Sequence, residues 1–183
     1  VWVLSAWQIV VNRYPQLGEK VRIVTLPYEL KAFLGYRNFA MLDEQGEYLA
    51  KANSLWSLLD VGTGKPVMVN EAMHKGYEID EKLDMEYAPR KIAVPEGGEL
   101  LEPIVVKKHH LDTNHHVNNG QYVNIAMEYL PDDFVIRQMR AEYKKQAFLE
   151  DVLHPYVVQT ENGYIICLQD EEGRPYVSVE FLQ

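Results

Sequence analysis

The residues best suited to chemistry lie together in His109-His110-Leu111-Asp112-Thr113-Asn114-His115-His116-Val117-Asn118-Asn119. Imidazole moves protons near neutral pH. Asp and Asn side chains can orient an imidazole or hold a water. The stretch runs into a predicted helix, whose first turn offers unpaired N–H groups and a partial positive charge. Both suit a developing oxyanion. The same residues admit a purely structural reading. Asn118 or Asn119 could simply cap the helix, and Asp112 with Asn114 could form an Asx turn. Spacing alone leaves catalysis and a capped loop side by side. Although four histidines fall within eight positions, there is no His-x₃-His helical pair and no Cys partner, so no metal site and no cofactor is expected.

The elements that must position this cluster follow from patterning. Val21–Leu30, Tyr36–Leu42 and Tyr48–Asp60 read as strands, as does the Val-, Ile- and Trp-rich stretch 1–12. Asp43-Glu44-Gln45-Gly46 supplies a hairpin turn with Gly46 at positive φ. A polar stretch with Pro89, Pro95, Gly97 and Gly98 follows, with a short strand expected at Arg90–Val94. Beyond it, Ile104–Lys108 reads as a strand. A helix is expected from Asn119 to Leu130, stopped by Pro131, with Tyr122, Ile125, Ala126 and Tyr129 on one face. Strands are expected at Phe134–Tyr143, Val152–Gln159, Tyr164–Gln169 and Tyr176–Leu182.

Two short matches relate the halves. Gly18-Glu19-Lys20-Val21 answers Leu149-Glu150-Asp151-Val152. Asp43-Glu44-Gln45-Gly46 answers Asp170-Glu171-Glu172-Gly173, at nearly the same spacing. This suggests an internal duplication: a first unit over 1–75, a linker over 76–98 and a second unit over 99–183. A strand, a helix and a run of antiparallel strands is the hotdog plan, in which an α+β sheet curls around its helix. The first unit's own strand and helix would fall before Val1. The chain also opens on Val rather than Met, so a preceding segment is expected.

The bulk composition excludes several classes. Apolar residues make up 47% and charged residues 25% of 183 positions, enough for a core and too mixed for a membrane span. No secretory signal pattern is visible. The single cysteine, Cys167, rules out an internal disulfide and reads as a buried strand residue. A reducing, cytoplasmic setting is expected. A net charge of −9 argues against nucleic-acid binding. Residues 107–146 depart from that balance, with six cations against five carboxylates. An acidic partner could be steered there, and an ordinary mixed surface would look the same.

Leu111-Asp112-Thr113-Asn114-His115-His116-Val117-Asn118-Asn119-Gly120-Gln121-Tyr122 resembles the Asp-x-Asn-x-His-Val-Asn-Asn-x-x-Tyr signature of the acyl–acyl-carrier-protein thioesterases. Val1-Trp2-Val3-Leu4-Ser5-Ala6-Trp7, Tyr36-Arg37-Asn38-Phe39 and Ala52-Asn53-Ser54 are similar to that family too. The resemblance spans essentially the whole chain and is nearer the shorter bacterial members. It implies a double hotdog and hydrolysis of a fatty-acyl thioester. It also implies roles for Asp112, Asn114 and His116, with His115 at a variable position. Plant members carry a Glu-Cys pair where this chain has Gln146-Ala147, so a cysteine nucleophile is excluded there and no carboxylate activates water.

The expected chemistry is direct attack by water. His116 serves as base or as a hydrogen-bond partner of the reacting centre, Asn114 and Gln146 hold the water, and Asp112 orients the loop or a histidine. The start of the helix, Asn118, Asn119 and Gly120, binds the thioester carbonyl. Trp2, Trp7, Phe39, Trp56 and Met127 are candidates for an acyl channel, or for ordinary packing. Acyl carrier protein is acidic, so Lys107, Lys108, Arg137, Arg140, Lys144 and Lys145 are candidate docking residues. A second copy of the chain is a further candidate partner. The alternatives are an acyl-CoA hydrolase and a non-catalytic acyl-thioester binding module.

Overall fold

The computed structural model describes residues 1–183. The chain divides into two compact units, Val1–Arg90 and Lys91–Gln183. The first unit contains β1 (Trp2–Val11), β2 (Arg22–Lys31), β3 (Leu34–Leu42), β4 (Tyr48–Leu58) and a one-turn helix α1 (Glu71–Gly76). The second contains two-residue strands β5 (Glu99–Leu100) and β6 (Ile104–Val105), then α2 (Asn119–Met127). It continues with β7 (Gln138–Tyr143), β8 (Val152–Thr160), β9 (Gly163–Gln169) and β10 (Pro175–Leu182). No helix is long and apolar enough to cross a membrane.

Within the first unit the antiparallel order is β2-β3-β4-β1, and within the second β8-β9-β10-β7. Strands β1 to β4 thus have counterparts in β7 to β10, while β5 and β6 have none in the first unit, and the duplication read from two short matches is present in that four-strand order. It extends to individual hydrogen bonds. Asp43 Oδ1 accepts the N–H groups of Gln45 and Glu47. Asp170 Oδ1 accepts those of Glu172 and Arg174. Gly46 and Gly173 donate to the Asp carbonyls three residues back, both at positive φ (89° and 78°). An Asp side chain bonding its own following backbone, with Gly where the chain turns left-handed, closes both hairpins.

In the second unit, α2 packs on β9 and β10. Tyr122, Ile125 and Ala126 are its buried residues, against a sheet face that includes the fully buried Ile166, Leu168, Val177, Val179 and Phe181. Residues 1–90 hold the four-strand counterpart and no equivalent of α2. Their buried side chains include Leu4, Ala40, Leu42, Leu49, Leu55 and Leu58.

Four expected elements differ in extent. The strand expected at Ile104–Lys108 keeps only Ile104–Val105, because Lys108 already opens the 3-10 turn that leads into the motif loop. Helix α2 stops at Met127. Tyr129 and Leu130 close tighter turns onto Ala126 and Met127 before Pro131 ends the run. The strand expected at Phe134–Tyr143 starts only at Gln138, because Phe134 first turns back onto the Pro131 carbonyl. Arg90–Val94 is not a strand. Its backbone pairs with side chains, the Ile92 N–H donating to Glu142 Oε2 at 3.1 Å and the Lys91 carbonyl accepting from Arg140 at 3.1 Å. Within the first unit, residues 77–90 are tied down similarly. The Gln8 amide grips the Glu86 carbonyl and the Ala88 N–H, and Asn38 Oδ1 accepts from Leu83 N–H and Tyr87 Oη.

Candidate active site

The signature residues form a tight loop between a 3-10 turn at Lys108–His110 and the start of α2. A short antiparallel bridge joins Leu111 to Val117. At its tip Asp112 does three things. Its N–H donates to the His116 carbonyl, its carbonyl accepts from His115 N–H, and its Oδ1 accepts from Asn114 N–H at 2.7 Å. This is the expected Asx turn, and it fixes the carboxylate. Asp112 Oδ2 is left 3.8 Å from His116 Nδ1. The turn forces His115 into the left-handed region at φ 63°, an uncommon conformation for a residue with a Cβ.

The His116 ring is partly buried, with 22% of its side chain exposed. Its Nδ1 lies 3.3 Å from the Val117 carbonyl oxygen and faces Asp112. Both neighbours are acceptors only, which assigns the proton of the neutral ring to Nδ1. Nε2 is then the basic nitrogen.

Asn118 is the N-cap of α2. Its Oδ1 accepts the Gly120 N–H at 2.8 Å, and its carbonyl accepts from Gln121 N–H. Of the three positions expected to bind a carbonyl, Asn118 therefore caps and the Gly120 N–H is already engaged. The Asn119 N–H remains as the donor at the helix start. The capped loop is thus present as expected, with Asn118 as the cap.

Gln146 comes to the motif through the backbone beside it. Val117 N–H donates to the Ala147 carbonyl at 2.8 Å, and His116 bridges Phe148. The Gln146 side chain is exposed. Two tyrosines not anticipated as site residues brace this arrangement. Tyr122 Oη accepts the Ala147 N–H at 2.8 Å, and Tyr143 Oη donates to the Asn119 carbonyl at 3.1 Å. Burial pushes the Tyr122 phenol up to about 12, and Tyr143 moves in the same direction for the same reason. Both phenols stay neutral. Tyr122 was readable as a buried helix residue, but nothing in its spacing points to the Ala147 amide.

The six candidate docking cations divide. Arg140 pairs with Glu180 at 2.8 Å, Lys145 with Asp170 at 3.2 Å and Lys144 with Glu142 at 3.4 Å. Lys107 and Lys108 are exposed, flank the motif loop and form no ion pair within the chain. Arg137 is exposed, with its N–H donating to the Leu182 carbonyl. Cys167 is buried on β9, its Sγ 3.8 Å from Ser178 Oγ, and burial pushes its thiol pKa up. It has no place among the motif residues. Of the candidate channel residues, Trp2 and Trp56 line a first-unit cavity of about 210 Å³ with Leu30 and Tyr36. Trp7 and Phe39 pack on each other at 5.2 Å, and Met127 is exposed.

Two topologically matching sets of four antiparallel strands, one carrying a helix whose N-terminus meets a His-Asp-Asn loop, define a double hotdog. The comparisons agree. A crystal structure of an acyl-ACP thioesterase from Bacteroides thetaiotaomicron superposes with a TM-score of 0.88 at 22% identity, over 99% of this chain and 75% of that one. The 12:0-ACP thioesterase from Umbellularia californica gives 0.86 at 20% identity, over 100% and 74%. The model of the acyl-ACP thioesterase N-terminal domain matches residues 1–77, and that of the C-terminal domain matches 97–175. The chain belongs to the acyl-ACP thioesterase family. The chloroplastic acyl-[acyl-carrier-protein] hydrolase FATB1 of Cuphea viscosissima is 27% identical over 97% of this chain and 46% of its own length. The chain spans about half the length of the curated relatives it matches.

Proposed function

We propose that this protein hydrolyses fatty acyl–acyl-carrier-protein thioesters to free fatty acid and carrier protein, by direct attack of water. The observation that carries the reading is the setting of His116. Its Nδ1 is held toward Asp112 and the Val117 carbonyl, which leaves Nε2 as base beside the start of α2. A water held by Asn114 and Gln146 attacks the thioester carbon, and Nε2 takes its proton. The carbonyl electron pair moves onto oxygen, where the Asn119 N–H and the helix dipole stabilise it. The intermediate collapses, the C–S bond breaks, and the thiolate takes the proton from the imidazolium. The Asp112 carboxylate faces the ring from the Nδ1 side at 3.8 Å and holds its orientation during the transfer. With Gln146-Ala147 in place of a Glu-Cys pair, no acyl-enzyme forms at that position.

Family membership supports the carrier-linked substrate. The absence of a disulfide and the buried Cys167 thiol fit the reducing cytoplasm proposed as its setting. The test is thiol release from palmitoyl–acyl-carrier protein and from a series of other chain lengths. The parent is expected to release thiol, and His116→Ala should lower turnover roughly 10²–10⁴-fold. Release from acyl-CoA alone would redirect the reading to a CoA hydrolase. Tight binding without release at any chain length would replace hydrolysis with acyl-thioester binding.

A further inference from the structure

Of the four histidines around the motif, His110 alone is buried, with 9% of its surface exposed. Its contacts close on themselves. The Lys107 N–H donates to His110 Nδ1 at 3.0 Å, while the His110 N–H returns to the Lys107 carbonyl at 3.0 Å. The His110 carbonyl in turn accepts the Asn118 N–H at 3.0 Å. One residue therefore locks the 3-10 turn on one side and holds the N-cap of α2 on the other. Between them hangs the loop bearing Asp112, Asn114 and His116, with the Asn119 N–H immediately after. We infer that His110 is a positioning residue, whose Nδ1 acts as a hydrogen-bond acceptor fixing the base of the motif loop against the start of α2.

The inference rests on the proposed hydrolysis, but its geometric content does not. An Nδ1 that accepts a backbone N–H carries no proton, so the ring must be the neutral Nε2–H tautomer, opposite to His116. Burial, and secondarily the adjacent His109, lowers the His110 pKa, which keeps the acceptor available at neutral pH. The His109 ring packs edge-on at 4.1 Å between centroids. His110 touches no reacting atom, so its effect must pass through the loop. Misplacing reacting groups by about 1 Å costs up to about 10²-fold in rate.

Asparagine places its Oδ1 near the position of histidine Nδ1, whereas leucine offers no acceptor and glutamine displaces it by one bond. The expected result is therefore a ranking. His110→Asn keeps turnover within about threefold of the parent, while His110→Leu and His110→Gln lose roughly 10- to 100-fold in kcat with little change in KM. An inactive parent would defeat the proposed hydrolysis and leave this inference to the second readout. That readout is the imidazole ¹⁵N spectrum of the parent, in which His110 should be the Nε2–H tautomer and His116 the Nδ1–H tautomer. An Nδ1–H His110 would overturn the inference whatever the activity. So would an active parent in which His110→Leu matches it, or in which His110→Asn is as slow as His110→Leu. If His110→Leu does not fold, the Asn and Gln variants and the tautomer decide.

Discussion

At the residue scale, adjacent histidines in one loop have been given three different tasks by their backbones. His116 sits where two acceptors meet one ring nitrogen, so the other nitrogen is basic. His110 is turned inward and accepts an amide. His115 occupies the left-handed corner that lets the Asx turn close, and it is exposed. Its side chain is thus expected to be dispensable. His115→Gly removes a steric penalty of about 1–2 kcal/mol and adds about 0.5–1 kcal/mol of unfolded-chain entropy. The variant should match the parent in unfolding free energy from denaturant titration to within about 1 kcal/mol, and retain thiol release. A loss comparable to that of His116→Ala would show that the corner histidine takes part in the chemistry. The type and spacing of Asp112, Asn114 and His116 were legible in the sequence because the loop is local. The engagement of the Gly120 N–H by Asn118 was not. Which orphan donor a cap takes depends on the cap's torsions, and Asn118 and Asn119 looked equivalent as caps.

The element scale is dominated by the repeated hairpin. Asp43 and Asp170 make the same backbone bonds, but Asp170 also meets Arg174 at 2.9 Å and Lys145 at 3.2 Å. Burial alone would raise its pKa, yet the Arg174 backbone and guanidinium, with the Lys145 ammonium, hold it down to about 2. A carboxylate depressed in the folded state stabilises the fold above its ordinary value of 3.8. That contribution fades as pH falls from there through about 2. Asp170→Asn should therefore lower Tm at pH 7, and the gap to the parent should narrow between pH 4 and pH 2. A gap that stays constant would mean the charge adds nothing beyond the retained backbone bonds. Gly46 and Gly173 give a matched test. A Cβ at either would meet nothing within 4 Å, so alanine there should cost only the backbone penalty, about 1–2 kcal/mol, at both turns alike. The hairpins were legible because Asp-x-x-Gly carries its own hydrogen-bonding instructions. The Arg90–Val94 segment misled because its backbone is held by the Glu142 and Arg140 side chains, some fifty positions away, and no local period encodes that.

For the whole molecule, the question is how an acidic chain would meet an acidic carrier. The net charge is −9, so long-range repulsion opposes the encounter unless local cations offset it. The positive character of 107–146 looked like a surface of six, but Arg140, Lys144 and Lys145 are matched by carboxylates of the same fold. Lys107 and Lys108 remain unmatched and stand beside the motif loop, where a carrier delivering a thioester would have to approach. Reversing both to Glu should raise KM for carrier-linked substrate roughly tenfold at low salt, while a small soluble thioester is turned over with its KM nearly unchanged. The difference should shrink toward 1 M salt, where charges are screened beyond about 3 Å. Reversing Lys75, also exposed but paired with Glu71 on α1, should leave both substrates alike. If the lysine reversals raise KM equally for both substrates, Lys107 and Lys108 support the loop and do not dock the carrier. If Lys75 has the same effect as they do, only net charge matters and no docking face exists around the motif.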